Sequence, residues 1–389
     1  MRDSYDVERE VLSRYAEAAD QREEALCCPV DRYDPELLAM IPQELIEKDY
    51  GCGDPTRWVG TAETVVDLGS GAGKACYMLS QKVGPEGRVI GVDFNDAMLR
   101  LARSWEDEMA ERIGYRNVTF VKARIQDMRL DLDRVAAWLA EHPITSVEDL
   151  MNFEQRRTAW QQDEPAIPSG SVDVVVSNCV LNLVRTEEKR RLFAEIFRLL
   201  KRGGRAVISD IVCDEEPTEA IRNDPTLWSG CIAGAFTEQG FLEMFAEAGF
   251  YGIEILDRSR EPWQTIDGIE FRSVTVRAFR GKEGPCLEKN QAVVYRGPWS
   301  QVRDDDGHTY YRGERMAVCE KTYGIMTDPS GPYAGEMIGI EPRIEVPDGE
   351  AQPFACRTTA RRHPRVTKGE DYHETVEATG EVCGPEGCC

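Results

Sequence analysis

Histidine is scarce in this chain. There are four, His142, His308, His363 and His373, dispersed over 389 residues. A Cys/His metal site is therefore not expected. Positive charge is also short: 47 Lys and Arg stand against 70 acidic residues, for a net charge of −23. Binding a nucleic-acid backbone needs a basic face, so nucleic acid is excluded as the main partner. No stretch approaches the ~18 apolar residues of a membrane-spanning helix, so no membrane partner is expected. The N-terminus, "MRDSYDVEREVLSRYAEAAD", lacks the apolar core of a signal peptide. The expected location is cytoplasmic, where thiols stay reduced.

Cysteine, by contrast, is abundant. There are 13, at positions 27, 28, 52, 76, 179, 213, 231, 286, 319, 356, 383, 388 and 389. None pair at the C-x-x-C spacing of zinc sites, and reduced thiols make no disulfide scaffold. A chain of 389 residues also exceeds the length over which one core keeps growing, so more than one domain is expected.

The pattern along the chain is α/β. Residues 1–24 read as an amphipathic helix, and 35–47 as another, ended by the turn "DYGCGDP". "ETVVDLGSGAGKACYMLSQKVGPEGRVIGVDFNDAMLRLARSWEDEMAERIG" reads strand, glycine turn, helix, strand, helix, the repeat of a parallel sheet. "NVTFVKARI", "SVDVVVSN" and "RAVISDIV" supply three further strands. The helix "EEKRRLFAEIFRLL" is expected to end at Lys201-Arg202-Gly203-Gly204, basic residues followed by glycines. "GIEILDRS" and "FRSVTVRAF" can close the sheet. The expected domains are an N-terminal helical segment with thiols (1–60), a core (61–282) with a helical insert (129–168), a small, mainly β C-terminal domain (283–350) with short strands around a "DDDG" turn, and a polar tail (351–389) ending "CGPEGCC".

"VVDLGSGAGK" places Gly69, Gly71 and Gly73 directly after a strand. Glycines there permit a tight turn and close approach of a ligand to the backbone. The spacing is wrong for the dinucleotide fingerprint, whose third glycine would fall at Lys74. Asp67 ends the first strand and Asp93 the second, where an acid can accept hydrogen bonds from ribose hydroxyls. This set resembles the S-adenosylmethionine-dependent methyltransferases of the class I, Rossmann-like fold, over about residues 61–282. The resemblance implies helices on both faces of the sheet and S-adenosyl-L-methionine as cofactor. It assigns Asp67, Gly69, Ser70, Gly71 and Gly73 to the methionine part and Asp93 to the ribose. Ile125 and Gln126 would line the adenine, with Asp127 as an acceptor for its amine, and Met98 and Asn178 complete the implied set.

Cys179 lies just past the fourth strand, at the edge of a doubly wound sheet where ligands bind. Cys52 precedes the first strand, and Cys231 follows the fifth. Each alone has a plain packing explanation, because cysteine is among the most buried residue types. Together, "YGCG", "SNCVLNL" and "WSGC" resemble the arsenite methyltransferases, as does "YRGPW…DDDGHTYYRGERMAVC" near the C-terminus. The resemblance implies that trivalent arsenic, as substrate, is held by Cys52, Cys179 and Cys231, joined by Cys27 or Cys28. Soft arsenic suits thiolates. Bound so, it keeps a lone pair that can attack a methyl group, and no general base is needed. The implied partners are arsenite, methylated trivalent arsenicals and a reductant, thioredoxin or glutathione, because oxidation during turnover would leave a disulfide. Two other readings stay open: a methyltransferase of another small molecule, and a soft-metal sequestering protein. The intact Asp67, glycine loop and Asp93 weigh against the latter. Cys383, Cys388 and Cys389 could relay arsenic. Packing is the expected role of Cys76, and Cys213, Cys286, Cys319 and Cys356 receive none.

Overall fold

The structure is a computed structural model that describes residues 7–20, 23, 33–357 and 360–369. Cys27, Cys28, Cys383, Cys388 and Cys389 lie outside the described residues. The chain divides into two compact units between Lys282 and Glu283.

The first unit opens with α1 (Val7–Asp20), α2 (Pro35–Ala39) and α3 (Gln43–Glu47). The single helix expected over 35–47 is two, because Pro42 offers no N–H to continue the first and instead caps the second. β1 (Thr64–Leu68), α4 (Lys74–Val83), β2 (Arg88–Asp93), α5 (Asp96–Ser104), α6 (Glu106–Ile113) and β3 (Val118–Lys122) follow. The insert folds as α7 (Leu132–Glu141) and α8 (Val147–Asp163), the latter opened by a Ser146/Asp149 capping box. Next come β4 (Val172–Asn178), α9 (Lys189–Leu199), β5 (Leu200–Cys213), α10 (Glu219–Arg222) and α11 (Pro225–Ser229). β6 (Phe236–Thr237), α12 (Glu238–Glu247), β7 (Tyr251–Arg258), β8 (Gln264–Ile266) and β9 (Ile269–Phe279) complete the unit.

The sheet runs β3-β2-β1-β4-β5-β9-β7, with β6 on β5 and β8 on β9. β3 to β5 are parallel, while β9 is antiparallel to both β5 and β7. Alternation along the strands divides the core. Val66, Leu68 and Val175 face Leu192, Phe193 and Ile196 of α9 and Phe241 and Phe245 of α12. Val65, Val174 and Val176 face Tyr77, Met78 and Leu79 of α4 and Leu99 and Ala102 of α5. Helices thus cover both faces, as in the class I methyltransferase fold. Chain order reverses between β1 and β4, and a crevice opens at such a point.

One element boundary differs from expectation. α9 stops at Leu199, and Lys201–Gly204 lie within β5. Leu200 is extended (φ −66°, ψ 140°) and pairs with Val172, while Gly203 N–H donates to Arg280 O at 2.7 Å. These long-range partners satisfy backbone groups that a local cap signal would otherwise claim.

The second unit holds β10 (Leu287–Glu288), β11 (Ala292–Tyr295), β12 (Gln301–Arg303), β13 (Thr309–Tyr311), β14 (Arg315–Ala317), α13 (Glu320–Thr327), β15 (Met337–Ile340), β16 (Gln352–Pro353) and α14 (Pro364–Lys368). β11 is the centre of an antiparallel β14-β11-β15 sheet, and β12 and β13 form a hairpin across "DDDG". Its core gathers Val293, Tyr295, Tyr310, Met316 and Met326.

Candidate active site

A cleft of about 1150 Å³, counted to its open mouth, lies at the β1/β4 crevice. Asp67, Gly69, Ser70, Gly71, Asp93, Met98, Ile125, Gln126, Asn178 and Cys179 line it. α1 also contributes to its wall through Glu8, Val11 and Tyr15. That helix is tied down at two points: Arg14 donates to Ser229 Oγ at 2.8 Å, and Asn95 Nδ2 to Leu12 O at 3.1 Å.

The glycine loop needs its glycines for two reasons. Gly69, Gly71 and Gly73 have φ of 67°, 51° and 87°, which side-chain-bearing residues rarely adopt. A Cβ on Gly69 would also come within 2.5 Å of Val180, while Gly73 caps α4 and leaves the cleft wall to its neighbours. Asp93 accepts from Gly71 N–H at 2.9 Å through one carboxylate oxygen and from Asn95 N–H at 2.8 Å through the other. Each oxygen keeps a second lone pair for a ligand hydroxyl.

Asp67 is buried, and burial is the largest cause that pushes its carboxyl up to about 7. The nearby Asp49 and Asp93 add to the rise, and Cys76 Sγ, 3.3 Å away, opposes it. A cationic ligand would restore its charge. Among the described residues Ser70 Oγ is buried with no partner, a donor left for a ligand. A buried acid whose charged form is disfavoured by burial, an acid with spare lone pairs and a hydroxyl without a partner among the described residues therefore share one cleft. They fit S-adenosylmethionine, which carries an ammonium and a sulfonium in its methionine part and hydroxyls on the adjoining ribose.

Two expected contacts are otherwise engaged. Asp127 is held through one carboxylate oxygen by Gln161 Nε2 at 2.8 Å and Arg191 at 2.7 Å, and it does not line the cleft. Gln126 lines the cleft, but its Nε2 donates to Glu188 at 3.1 Å.

The thiols assemble beside the cleft. Cys52 and Cys179 form a disulfide, with Cα atoms 5.8 Å apart across 127 residues of sequence. The fold brings the two sulfurs together, and an oxidised pair is the state that turnover was expected to leave. Cys231 Sγ donates to Cys179 O at 3.1 Å. All three are buried in one apolar cluster with Ile211, Ile232 and Phe271. Cys179 and Cys231 have φ of 59° and 63°. Non-glycine residues in that region carry backbone strain, which folds concentrate at functional sites. Cys179 alone of the three lines the cleft, so the cluster meets the cofactor wall there.

Several residues position the thiols: Asn178, which the sequence assigned to the cofactor, and Asn182, Asp210, Lys74 and Tyr33, which it did not single out. Asn178 accepts from Cys52 N–H and Gly53 N–H at 2.7 and 2.8 Å and donates to Gly53 O at 2.7 Å, so its amide clamps the Cys52 turn. Asn182 Nδ2 donates to Cys231 O at 3.1 Å and Ile211 O at 2.6 Å. Asp210 accepts from Leu181 N–H at 2.8 Å and Asn182 N–H at 3.3 Å, which pins the loop carrying Cys179. Both asparagines stand within "SNCVLNL", so a signal was present in the motif itself. Buried Lys74 pairs with Asp49 and lies 3.6 Å from the centre of the Tyr33 ring. Tyr33 in turn donates to Gly53 O at 3.1 Å. Cys213 packs, with its thiol pushed up to about 12 mainly by burial.

Comparison with known proteins places this geometry. The methyltransferase domain family matches residues 60–152 and 148–249, and a domain of unknown function matches 282–372. An arsenite methyltransferase of Aquipseudomonas alcaligenes is 31% identical over 306 residues, 75% of this chain and 78% of the relative. The mouse arsenite methyltransferase is 26% identical over 100% of this chain and 99% of its own length. The crystal structure of an arsenic(III) S-adenosylmethionine methyltransferase from Chlamydomonas reinhardtii superposes with a TM-score of 0.52 and 26% identity, covering 81% of this chain and 99% of that one. A relative above 30% identity across most of both chains, together with a cleft suited to the same methyl donor, means that this chain belongs to the arsenite methyltransferase family.

Proposed function

We propose that this enzyme methylates trivalent arsenic held by Cys52, Cys179 and Cys231, with S-adenosylmethionine bound by Asp67, Gly69, Ser70, Gly71, Asp93, Met98 and Ile125. The observation that carries this reading is the position of Cys179, bonded to Cys52 on one side and exposed to the donor cleft on the other. The disulfide must first be reduced, and a small dithiol or glutathione-type partner, thioredoxin or glutathione, supplies the two electrons and two protons. That requirement suits a reducing, cytoplasmic setting.

Arsenite then exchanges three hydroxyls for three thiolates, releasing three waters. When bound, the cofactor supplies an electrophilic methyl group for the arsenic lone pair. The protein's own task is placement, which can lower the barrier by several kcal/mol. The Asn178 clamp, the Asp210-pinned loop and the Asn182 contact hold the three cysteine backbones for it. Methylation leaves arsenic formally pentavalent. Two cysteine sulfurs return two electrons by forming the Cys52–Cys179 bond as two As–S bonds break; two waters then supply hydroxyls to arsenic, one of them displacing Cys231, which regains its thiol proton, and trivalent methylated arsenic leaves as the dihydroxide. The disulfide state thus corresponds to the end of a turnover. Cys27 or Cys28 joins the three in holding arsenic in this reading.

The test is direct. Purified enzyme with arsenite, thioredoxin system and donor should yield methylated arsenicals on chromatographic speciation. Cys179→Ser and Cys231→Ser should yield none. Full arsenite turnover in Cys179→Ser would sink the three-thiolate site.

A further inference from the structure

The second unit gathers cysteines for which the sequence offered no use. Cys286, Cys319 and Cys356 come from three separate elements, yet their Sγ atoms all lie within 4.8 Å of one another. Cys286 immediately precedes β10, and Cys356 follows β16. The β10–β16 pairing sets Leu287 opposite Pro353, and Phe354 N–H donates to Cys286 O at 2.8 Å, which brings the two ends together. Cys319 caps α13: Thr322 N–H donates to its Sγ at 3.4 Å, and Thr322 Oγ1 lies 3.2 Å from the same sulfur. The Cys356 carbonyl is held by His308 Nε2, whose Nδ1 lies 2.8 Å from Asp304.

The three thiols are adjacent but not joined by a disulfide. Cys319 is fully buried, while Cys286 and Cys356 are half-buried, so the trio is open on one side. Among the described residues, no histidine, carboxylate or fourth cysteine joins the group. Zinc in structural sites takes four protein ligands in a tetrahedron, so three sulfurs leave it one short. A soft trivalent ion with a lone pair in the fourth direction needs only three.

We propose that Cys286, Cys319 and Cys356 form a second arsenic(III) site, a trithiolate that binds arsenic apart from the residues lining the donor cleft. The proposal rests on the reading that this enzyme meets arsenite. Binding is ligand exchange without redox change. Three As–O bonds give way to three As–S bonds, and each thiol proton leaves with a departing hydroxide as water. None of the three lines the donor cleft; this site retains arsenic, and methylation stays with Cys52, Cys179 and Cys231.

The test uses the full, reduced chain and sodium arsenite. Wild type, Cys286→Ser/Cys319→Ser/Cys356→Ser and Cys52→Ser/Cys179→Ser/Cys231→Ser are each loaded with excess arsenite, desalted and assayed for bound arsenic by mass spectrometry. The first variant should hold one arsenic fewer than wild type and still methylate arsenite. Arsenic bound to the second variant should show three sulfur neighbours by X-ray absorption. Unchanged arsenic content in the first variant overturns the proposal, as does zinc bound at the trio that arsenite fails to displace. If circular dichroism shows that the triple variant has lost its fold, Cys356→Ser alone decides. With two thiolates left, it should release this arsenic faster to a competing dithiol, and undiminished retention overturns the site. Methylation surviving in the second variant would instead refute the catalytic assignment and leave the trio's arsenic count unaffected.

Discussion

Asn178→Ala separates the placement of thiols from the binding of cofactor. Three hydrogen bonds of 2.7–2.8 Å join its amide to the Cys52–Gly53 turn. At about 1 kcal/mol each, their loss costs about 3 kcal/mol, and somewhat less where water reaches the half-buried turn. Cys76, Asp67 and Asp93 do not touch this amide, so the donor cleft keeps its charges. What loosens is the backbone that aims Cys52 at Cys179. Displacing a ligand thiol by about 1 Å can cost about 100-fold in rate. Arsenite, which needs three thiolates, should lose on that order. Monomethylarsenite has one position occupied by carbon and needs only two, so it should lose far less. The assay is initial rate on both substrates at saturating donor, with donor affinity by calorimetry as the control. An equal fall on both substrates, accompanied by weaker donor binding, would refute the clamp and return Asn178 to the cofactor.

The thiols themselves should divide by the same logic: Cys52→Ser, and Cys27→Ser with Cys28→Ser, abolish arsenite methylation but keep much activity on monomethylarsenite, whereas Cys231→Ser loses both. Asp93→Ala should weaken donor binding by about 1.5–3 kcal/mol, the range for a hydrogen bond to a charged acceptor, with arsenic binding unchanged; an unaltered donor affinity would move the ribose elsewhere. Asp67, raised from 3.8 to about 7, predicts a pH dependence of opposite sign for donor binding and for stability. Donor affinity should fall as pH drops through about 7 and the carboxylate is protonated, and Asp67→Asn should show a flat, weak profile in calorimetric titrations. Without donor, the raised value favours the protonated fold, so this group's stabilisation is complete below pH 3.8 and is lost as pH climbs to about 7; denaturation midpoints of wild type that rise relative to Asp67→Asn over that interval would contradict the buried acid.

The sequence by itself determined the parts written in local pattern. Runs such as "TVVDL" and "VDVVV" alternate between two faces and can be read as strands buried on both sides. The glycines at 69, 71 and 73 announce a loop in which φ is positive, a property of single residues. Asp67 and Asp93 follow because strand ends set where their side chains go. Tertiary structure alone decided the rest. α9 ends at Leu199 because Val172 and Arg280 claim the next backbone groups, and neither is near in sequence. The partner of Cys52 lies 127 residues away, and Asn178 is a clamp only because the Cys52 turn folds onto it. Cys286, Cys319 and Cys356 look unrelated until β10 pairs with β16 and α13 begins beside them. Periodicity and propensity act over a few residues, where backbone geometry sets which side chains meet. A disulfide or a trithiolate depends instead on distances of a few ångströms between atoms far apart in the chain, and only the packing of whole elements sets those distances.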